Sequence, residues 1–212
     1  MTTSGVDTGV DPSRGRVARK RDRRVREILA VAAELFGERG YDAVSLEDVA
    51  ERLDVTKGSL YYYFSSKEQL GTAAIETLGS EWTDRLAALL GTLSGSASSR
   101  LRSLISEHVT VAVRDYPAAL QLFLVPQRWP ESQRRAITTL RARHDGLFRG
   151  LIEEGVTSGE FRVTSVPTAL RCMHASMSQS PVWFAGLRGR RLADAVDELT
   201  DTLMMLVGES AP

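Results

Sequence analysis

The spacing of apolar residues limits the fold of this 212-residue sequence more than any other feature. Apolar residues recur every three or four positions in segment after segment, and the apolar–polar alternation of a β-strand is absent. The first such segment carries a single helical stripe, formed by Val25, Ile28, Leu29, Ala32, Leu35 and Phe36. The spacing therefore predicts an all-α protein with about nine helices.

The first helix is predicted to run from about Arg19 to Gly40, because glycine adopts the left-handed conformation of a helix end without steric cost. Residues 1–11 show no periodicity, so residues 1–18 are expected to form a disordered basic arm.

Two very short helices are predicted between residues 45 and 64. Ser45, with Asp48 three positions later, is typical of a helix start, and Thr56 has the character of the next N-cap. Asp54 lies between them and tolerates the left-handed backbone of a tight turn. Short helix, tight turn and short helix are the elements of a helix-turn-helix, so a three-helix domain is expected over residues 19–65.

Residues 66–212 are predicted to form a second, helical domain. Ser65, with Glu68 three positions later, indicates the start of a long helix that ends in the loop-like residues 91–99. The further helices are predicted at residues 101–114, at 117–124, from the break at 126–131 up to Gly159, at 167–179 and at 191–207.

The charge distribution suggests a nucleic-acid partner although the net charge is zero. Between Ser13 and Arg26 there are eight basic residues and one acid, Asp22, and the three lysines all lie in the first third of the chain. A basic front end on a neutral protein is typical of a DNA-binding surface. If charge alone is considered, a solvated tail followed by a charged helix face explains these basic residues equally well.

The third helix presents two different faces on a helical wheel. Leu60 and Phe64 point to one side, whereas Gly58, Tyr61 and Tyr62 point to the other, with Ser59 and Tyr63 at the flanks. Glycine lets the helix approach a surface, tyrosines can contact bases and phosphates, and Lys57 and Lys67 can reach phosphates. We interpret this face as DNA-binding; an aromatic patch for protein contact is the alternative.

The segment VTKGSLYYYFSSKEQL also resembles the TetR family of bacterial transcriptional regulators. The residues that match the family pattern are Val55, Thr56, Gly58, Ser59, Leu60, Tyr61, Tyr63, Phe64, Lys67, Glu68 and Leu70. The likeness extends from Arg24 to about Leu70, and Leu53-Asp54 departs from it where the family commonly has Ala-Gly. The resemblance implies DNA contacts by Ser45, Thr56, Lys57, Gly58, Ser59, Tyr61, Tyr62, Tyr63 and Lys67.

The resemblance further implies a homodimeric repressor that binds palindromic operator DNA and is released by a small effector. Such an effector would be apolar or amphipathic, for example lipid-like or an acyl-CoA. The alternative function is a helical small-molecule carrier with a vestigial DNA-binding domain. No enzyme motif, cofactor site or metal site is predicted.

Side chains that could surround an effector lie on several of the predicted helices. They are Trp82, Leu86, His108, Val109, Leu120, Phe123, Leu124, Trp129, Arg141, His144, Phe148 and Met173. Most of these residue types at helical spacing also suit an ordinary core. His108, His144 and His174 each lie on a largely apolar helix and would have to converge to bind a metal.

The last two helices are predicted to form the dimer interface. Leu192, Val196, Leu199, Leu203 and Leu206 make a stripe that could enter a four-helix bundle with a second subunit. If the stripe packs on its own chain instead, the protein would be a monomer. The single cysteine and the lack of a long apolar run predict a cytoplasmic protein without a membrane partner.

Overall fold

The computed structural model describes residues 12–114 and 129–208, with side chains from residue 16 onward. This part of the chain contains eight α-helices, a final 3₁₀ turn and no β-strand, which confirms the predicted all-α class. The helices are α1 (Pro12–Arg39), α2 (Leu46–Arg52), α3 (Lys57–Tyr61), α4 (Lys67–Thr92), α5 (Ala97–Arg114), α6 (Glu131–Ser158), α7 (Val166–Trp183) and α8 (Gly189–Met204), followed by the 3₁₀ turn Met205–Val207. The helix predicted at 117–124 lies outside the described residues.

Three helix starts differ from the prediction, and one of them is α5, which begins at Ala97 inside the residues predicted as a loop. Helix α1 begins at Pro12, so residues 12–18 are helical and do not belong to a disordered arm; proline suits the first turn of a helix because its missing N–H would be unpaired there anyway. Helix α4 is capped by Ser66, whose hydroxyl accepts a hydrogen bond from the backbone N–H of Gln69 at 3.1 Å. The predicted cap, Ser65, instead donates its own N–H to the side chain of Gln69.

The predicted turns are confirmed by their backbone angles. Gly40 directly follows α1 with φ of 85°, and Gly159 caps α6 with φ of 82°. Asp54, between α2 and α3, has φ of 52° and is the one non-glycine residue with positive φ in the described ranges. The two short helices therefore meet at the tight turn that the sequence indicates.

Two apolar cores share α4 and α6. The first joins α1, α2 and α3 to Leu70, Ala74, Ile75 and Leu78 of α4 and to Ile137 of α6. The second joins α5, α7 and α8 to Trp82 and Leu86 of α4 and to Phe148, Leu151 and Ile152 of α6. Since α4 has 26 residues, it runs about 39 Å from one core to the other. The two halves of the chain are thus joined by continuous helices.

Candidate functional site

Local hydrogen bonds hold α2 and α3 at the surface of the first core. Ser45 accepts a hydrogen bond from the backbone N–H of Asp48 at 3.1 Å, and the Asp48 carboxylate accepts the Ser45 N–H at 2.7 Å. Thr56 accepts the N–H of Ser59 at 3.2 Å. Leu60, 1% exposed, anchors α3 in the core. The predicted caps and the predicted inner face of α3 are therefore confirmed.

The opposite face of α3 is open and aromatic. Tyr62 is 75% exposed and Tyr61 is 41% exposed, whereas Tyr63 is half-buried with its ring 5.1 Å from that of Tyr62. A Cβ added at Gly58 would meet no atom within 4 Å. Nothing within the described part of the protein therefore requires glycine at this position.

Two side chains predicted to contact DNA are engaged within the protein. Lys57 forms an ion pair with Glu47 and lies 5.4 Å from the centre of the Tyr61 ring. The hydrogen bond from Lys57 lowers the pKa of the Glu47 carboxyl, and the same contact raises the pKa of Lys57. The hydroxyl of Ser45 is directed to Asp48 in the helix cap. Both remain predictions as DNA contacts.

Lys67 also lies against the protein itself. Its ammonium group donates hydrogen bonds to the backbone carbonyls of Tyr41 at 3.1 Å and Asp42 at 3.3 Å. These carbonyls belong to the turn between α1 and α2. Lys67 therefore secures that turn to the start of α4, and a phosphate contact remains a prediction.

The basic half of α1 adjoins the tyrosine face, which the sequence could not reveal. An open cleft between the two is lined by Val17, Lys20, Arg21, Arg23, Arg24, Glu27, Tyr62 and Tyr63. A shallower depression continues it along Val55, Thr56, Gly58 and Ser59. Together they form a continuous surface, here called the tyrosine–arginine face, with the cationic and aromatic groups that DNA-binding proteins use.

A second candidate site is a cavity of about 140 Å³ between α4, α5, α6 and α7. Its lining residues are Gly79, Trp82, Thr83, His108, Leu140, Arg141, His144, Asp145, His174 and Ser178. Four of them, Trp82, His108, Arg141 and His144, were predicted from the sequence. Of the others, the sequence offered a signal for His174 alone, as the third histidine on an apolar helix.

Several other predicted effector contacts do not line this cavity. Leu86, Val109, Phe148 and Met173 are buried in the second core because their helices turn these side chains inward. Trp129 belongs to the first core, where its ring lies 4.8 Å from that of Tyr41. The predicted contacts Leu120, Phe123 and Leu124 lie outside the described residues.

The three histidines converge at the cavity. The ring centre of His144 lies 5.0 Å from that of His108 and 5.4 Å from that of His174, and the Trp82 ring stacks on His108 at 4.7 Å. Nevertheless, no group of three His, Cys, Asp or Glu side chains in residues 12–114 and 129–208 has an arrangement that could hold a metal ion.

Burial disfavours the protonated form of all three imidazoles. It lowers the pKa of His108 far below its usual value and that of His144 to about 3, and the neighbouring histidines lower both further. Burial also lowers the pKa of His174, against the opposing effect of Asp145, whose Oδ1 lies 2.9 Å from Nε2 of His174. That contact lacks hydrogen-bond geometry, and both ring nitrogens of His108 have no hydrogen-bond partner among the described residues.

The apolar stripe of α8 does not form an outer surface, contrary to the prediction. Leu192, Val196, Leu199 and Leu203 are buried in the second core of their own chain. The apolar side chains that α7 and the final 3₁₀ turn leave exposed are Val182, Trp183, Met205 and Leu206. In addition, none of the helices in the described ranges is both long and apolar enough to cross a membrane.

Comparison with known proteins gives matches along most of the chain. Residues 28–74 match the family described as bacterial regulatory proteins, tetR family. Residues 94–207 match the family described as tetracyclin repressor-like, C-terminal domain. The uncharacterized HTH-type transcriptional regulator YfiR of Bacillus subtilis is 31% identical over 147 residues, which are 67% of this chain and 70% of YfiR.

Two solved structures share the fold. AibR in complex with isovaleryl coenzyme A and operator DNA has a TM-score of 0.71 at 20% identity, covering 88% of this chain and 100% of AibR. The regulator FadR of Bacillus subtilis in complex with stearoyl-CoA has a TM-score of 0.65 at 21% identity, covering 87% of this chain and 98% of FadR.

Proposed function

Because the chain belongs to the TetR family of DNA-binding transcriptional regulators, we propose that it represses transcription as a homodimer on a palindromic operator. A small effector bound between α4, α5, α6 and α7 would release it. A protein that acts on operator DNA works where the bacterial chromosome is, so its site of action is the cytoplasm.

The observation that best supports operator binding is the tyrosine–arginine face. Tyr61 and Tyr62 are exposed on a helix that is anchored from behind by Leu60. Gly58 is the second residue of α3, and no atom lies within 4 Å of the position that its Cβ would take. A major groove accepts such a helix, while the arginines of α1 lie where phosphates would flank it.

The effector class follows from the structural neighbours and from the cavity. AibR and FadR were solved with acyl-CoA molecules, and the cavity of this chain lies beside the second apolar core, at Trp82 of α4. Arg141 lines the cavity and is exposed, so its guanidinium can meet an anionic group at the entrance. We therefore take an acyl-CoA or a related amphipathic molecule as the effector.

Helix α4 provides the path from effector to DNA. It carries Trp82 in the cavity wall and Lys67 at the turn before α2. A ligand that displaces α4 would change the distance between the two α3 helices of a dimer, and an operator accepts only a spacing of about 34–36 Å or a multiple of it. A coupling free energy of about 1–3 kcal/mol would weaken operator binding about 5–150-fold.

The proposal is tested with an operator selected from random duplexes. Fluorescence anisotropy should show specific binding of a dimer to an inverted repeat, and isovaleryl-CoA or stearoyl-CoA should weaken it. Ligand affinity should fall by the same factor when operator is present. Unchanged ligand affinity would contradict release by an effector, and the absence of any operator complex would leave the carrier alternative.

The dimer is proposed to form through outward-facing residues of the last two helices. Trp183 is 55% exposed and Val182 is 69% exposed, which is unusual for large apolar side chains of a folded chain. Trp183→Asp should convert the dimer to a monomer and abolish cooperative binding to the inverted repeat, whereas Arg190→Asp, at an exposed polar position, should not. Sedimentation of the unaltered protein as a monomer would contradict the proposal.

A further inference from the structure

The buried imidazoles of the cavity indicate which effector it selects. We propose that the cavity takes a short acyl group bearing a hydroxyl, as in a 3-hydroxyacyl thioester, and discriminates against saturated acyl chains. This inference rests on the proposed effector site and specifies its chemistry.

The size of the cavity favours a short group. Its volume of about 140 Å³ is close to that of a cavity of about 150 Å³ that binds benzene, a ligand of six carbon atoms. A four-carbon acyl chain with one hydroxyl is of this size. Trp82 and Leu140 offer apolar contacts for the carbon atoms of such a chain.

The hydrogen-bonding capacity of the wall favours a hydroxyl. A neutral imidazole has one N–H donor and one bare nitrogen acceptor. Both nitrogens of His108 and Nε2 of His174 lack a hydrogen-bond partner among the described residues, and His144 lies between the two rings. A hydroxyl can accept from one imidazole and donate to another, whereas a hydrocarbon would leave these buried groups unpaired.

A carboxylate fits the same wall less well than a hydroxyl. It can accept hydrogen bonds but donate none, and its negative charge would approach Asp145, which lies beside His174. The low pKa values of His108 and His144, caused by burial, keep positive charge away from the cavity. Arg141 is exposed, so it is placed for the phosphates of a thioester's nucleotide portion at the entrance.

The test compares 3-hydroxybutyryl-CoA with butyryl-CoA, which differ by one hydroxyl. Isothermal titration of the full-length protein should give at least about tenfold tighter binding of the hydroxyacyl thioester, because a site built to hydrogen-bond a hydroxyl rejects the analogue without it. The same order should appear in operator release. Stearoyl-CoA should bind more weakly than 3-hydroxybutyryl-CoA because of its length.

Two variants locate the discrimination. His108→Leu should reduce the ratio of the two affinities to about threefold or less, whereas Met173→Leu, a volume-conserving change in the adjacent core, should keep it. Thermal unfolding checks that both variants fold. If His108→Leu does not fold, His144→Leu replaces it, and the ratio in the unaltered protein remains a test by itself.

Four outcomes would overturn the inference. Binding of butyryl-CoA as tightly as the hydroxyacyl thioester, or more tightly, contradicts it. An undiminished ratio in the folded histidine variant also contradicts it, as does stoichiometric zinc in the purified protein that is lost in that variant. If no thioester binds although the operator does, the acyl-CoA part of the proposed function fails as well.

Discussion

The ammonium group of Lys67 lies 4.6 Å from the centre of the Tyr41 ring and donates a hydrogen bond to the Tyr41 carbonyl at 3.1 Å. The same ring packs against Phe36 and Trp129 at centroid distances of 5.3 Å and 4.8 Å. Because Phe36 belongs to α1 and Trp129 precedes α6, this contact joins the first turn of α4 to three other parts of the first core.

Replacing Lys67 by methionine should therefore lower the stability of the protein more than its affinity for DNA. The change keeps the apolar stem but removes a charged hydrogen bond, so we expect a loss of about 1–2 kcal/mol in the free energy of unfolding in urea. Lys57→Met, on the exposed face of α3, is the control and should lower stability less, because its ion pair with Glu47 is exposed to solvent. A stable Lys67→Met variant whose salt slope on DNA falls by about one unit would show a phosphate contact instead.

Tyr62 should contribute to sequence recognition because its side chain is exposed and has no structural role in the core. Tyr62→Ala is expected to weaken operator binding about tenfold, or about 1.4 kcal/mol, and to affect random DNA much less. Tyr62→Phe separates the ring from the hydroxyl, since the ring alone can contact a thymine methyl group. Equal losses on operator and random DNA would show that Tyr62 positions the protein without reading bases.

Glu47 should restrain DNA binding because it pairs with Lys57 at the start of α3. Glu47→Gln removes a negative charge beside the proposed DNA contacts of α3 and frees the Lys57 ammonium. We expect several-fold tighter binding to all duplexes and a salt dependence steeper by about one unit. Glu153→Gln, on the exposed side of α6 in the other half of the chain, is the matched control. An unchanged salt slope would mean that Lys57 does not contact DNA.

Two glycines of α6 should respond oppositely to alanine. A Cβ at Gly155 would lie 2.1 Å from Cδ2 of Phe161, whose ring is buried, so Gly155→Ala should destabilise the protein by about 1–3 kcal/mol. Gly150 has open space around the same position, and Gly150→Ala should stabilise α6 by up to about 1 kcal/mol. Urea unfolding measures both, and destabilisation by both changes would contradict the explanation.

Because of the buried histidines, the free energy of unfolding should decrease as the pH is lowered below 7. The folded-state pKa of His144 is lowered to about 3 from 6.5, so the unfolded state binds the proton first as the pH decreases. The contribution of His144 to the free energy of unfolding is fully present above pH 6.5 and is lost progressively as the pH falls toward 3. Between pH 7 and pH 5 the loss should be about 2 kcal/mol.

His144→Phe supplies the comparison for this pH dependence. The phenylalanine does not titrate, so the variant should lose about 2 kcal/mol less than the unaltered protein between pH 7 and pH 5. Urea unfolding at the two pH values measures the difference. Equal losses in both proteins would place the acid sensitivity at other groups, such as His108 or His174.

Several helix ends and the two faces of α3 are determined by interactions between residues close together in the sequence. Ser45, Thr56 and Gly159 form helix ends through hydrogen bonds or backbone angles within a few residues. The inward position of Leu60 and the outward position of Tyr62 follow from 100° per residue on one helix. These features need no information about distant parts of the chain.

The tertiary structure decided which helix covers which face. Periodicity shows that α8 has an apolar stripe, but only packing showed that Leu199 enters its own core and not a partner subunit. Likewise, His108, His144 and His174 are on three different helices, and their convergence depends on how α5, α6 and α7 pack. An apolar face can be buried equally well by several partners, because the hydrophobic effect has no direction. The cavity and its chemistry therefore arise from the tertiary packing, whereas the two faces of α3 follow from the local sequence.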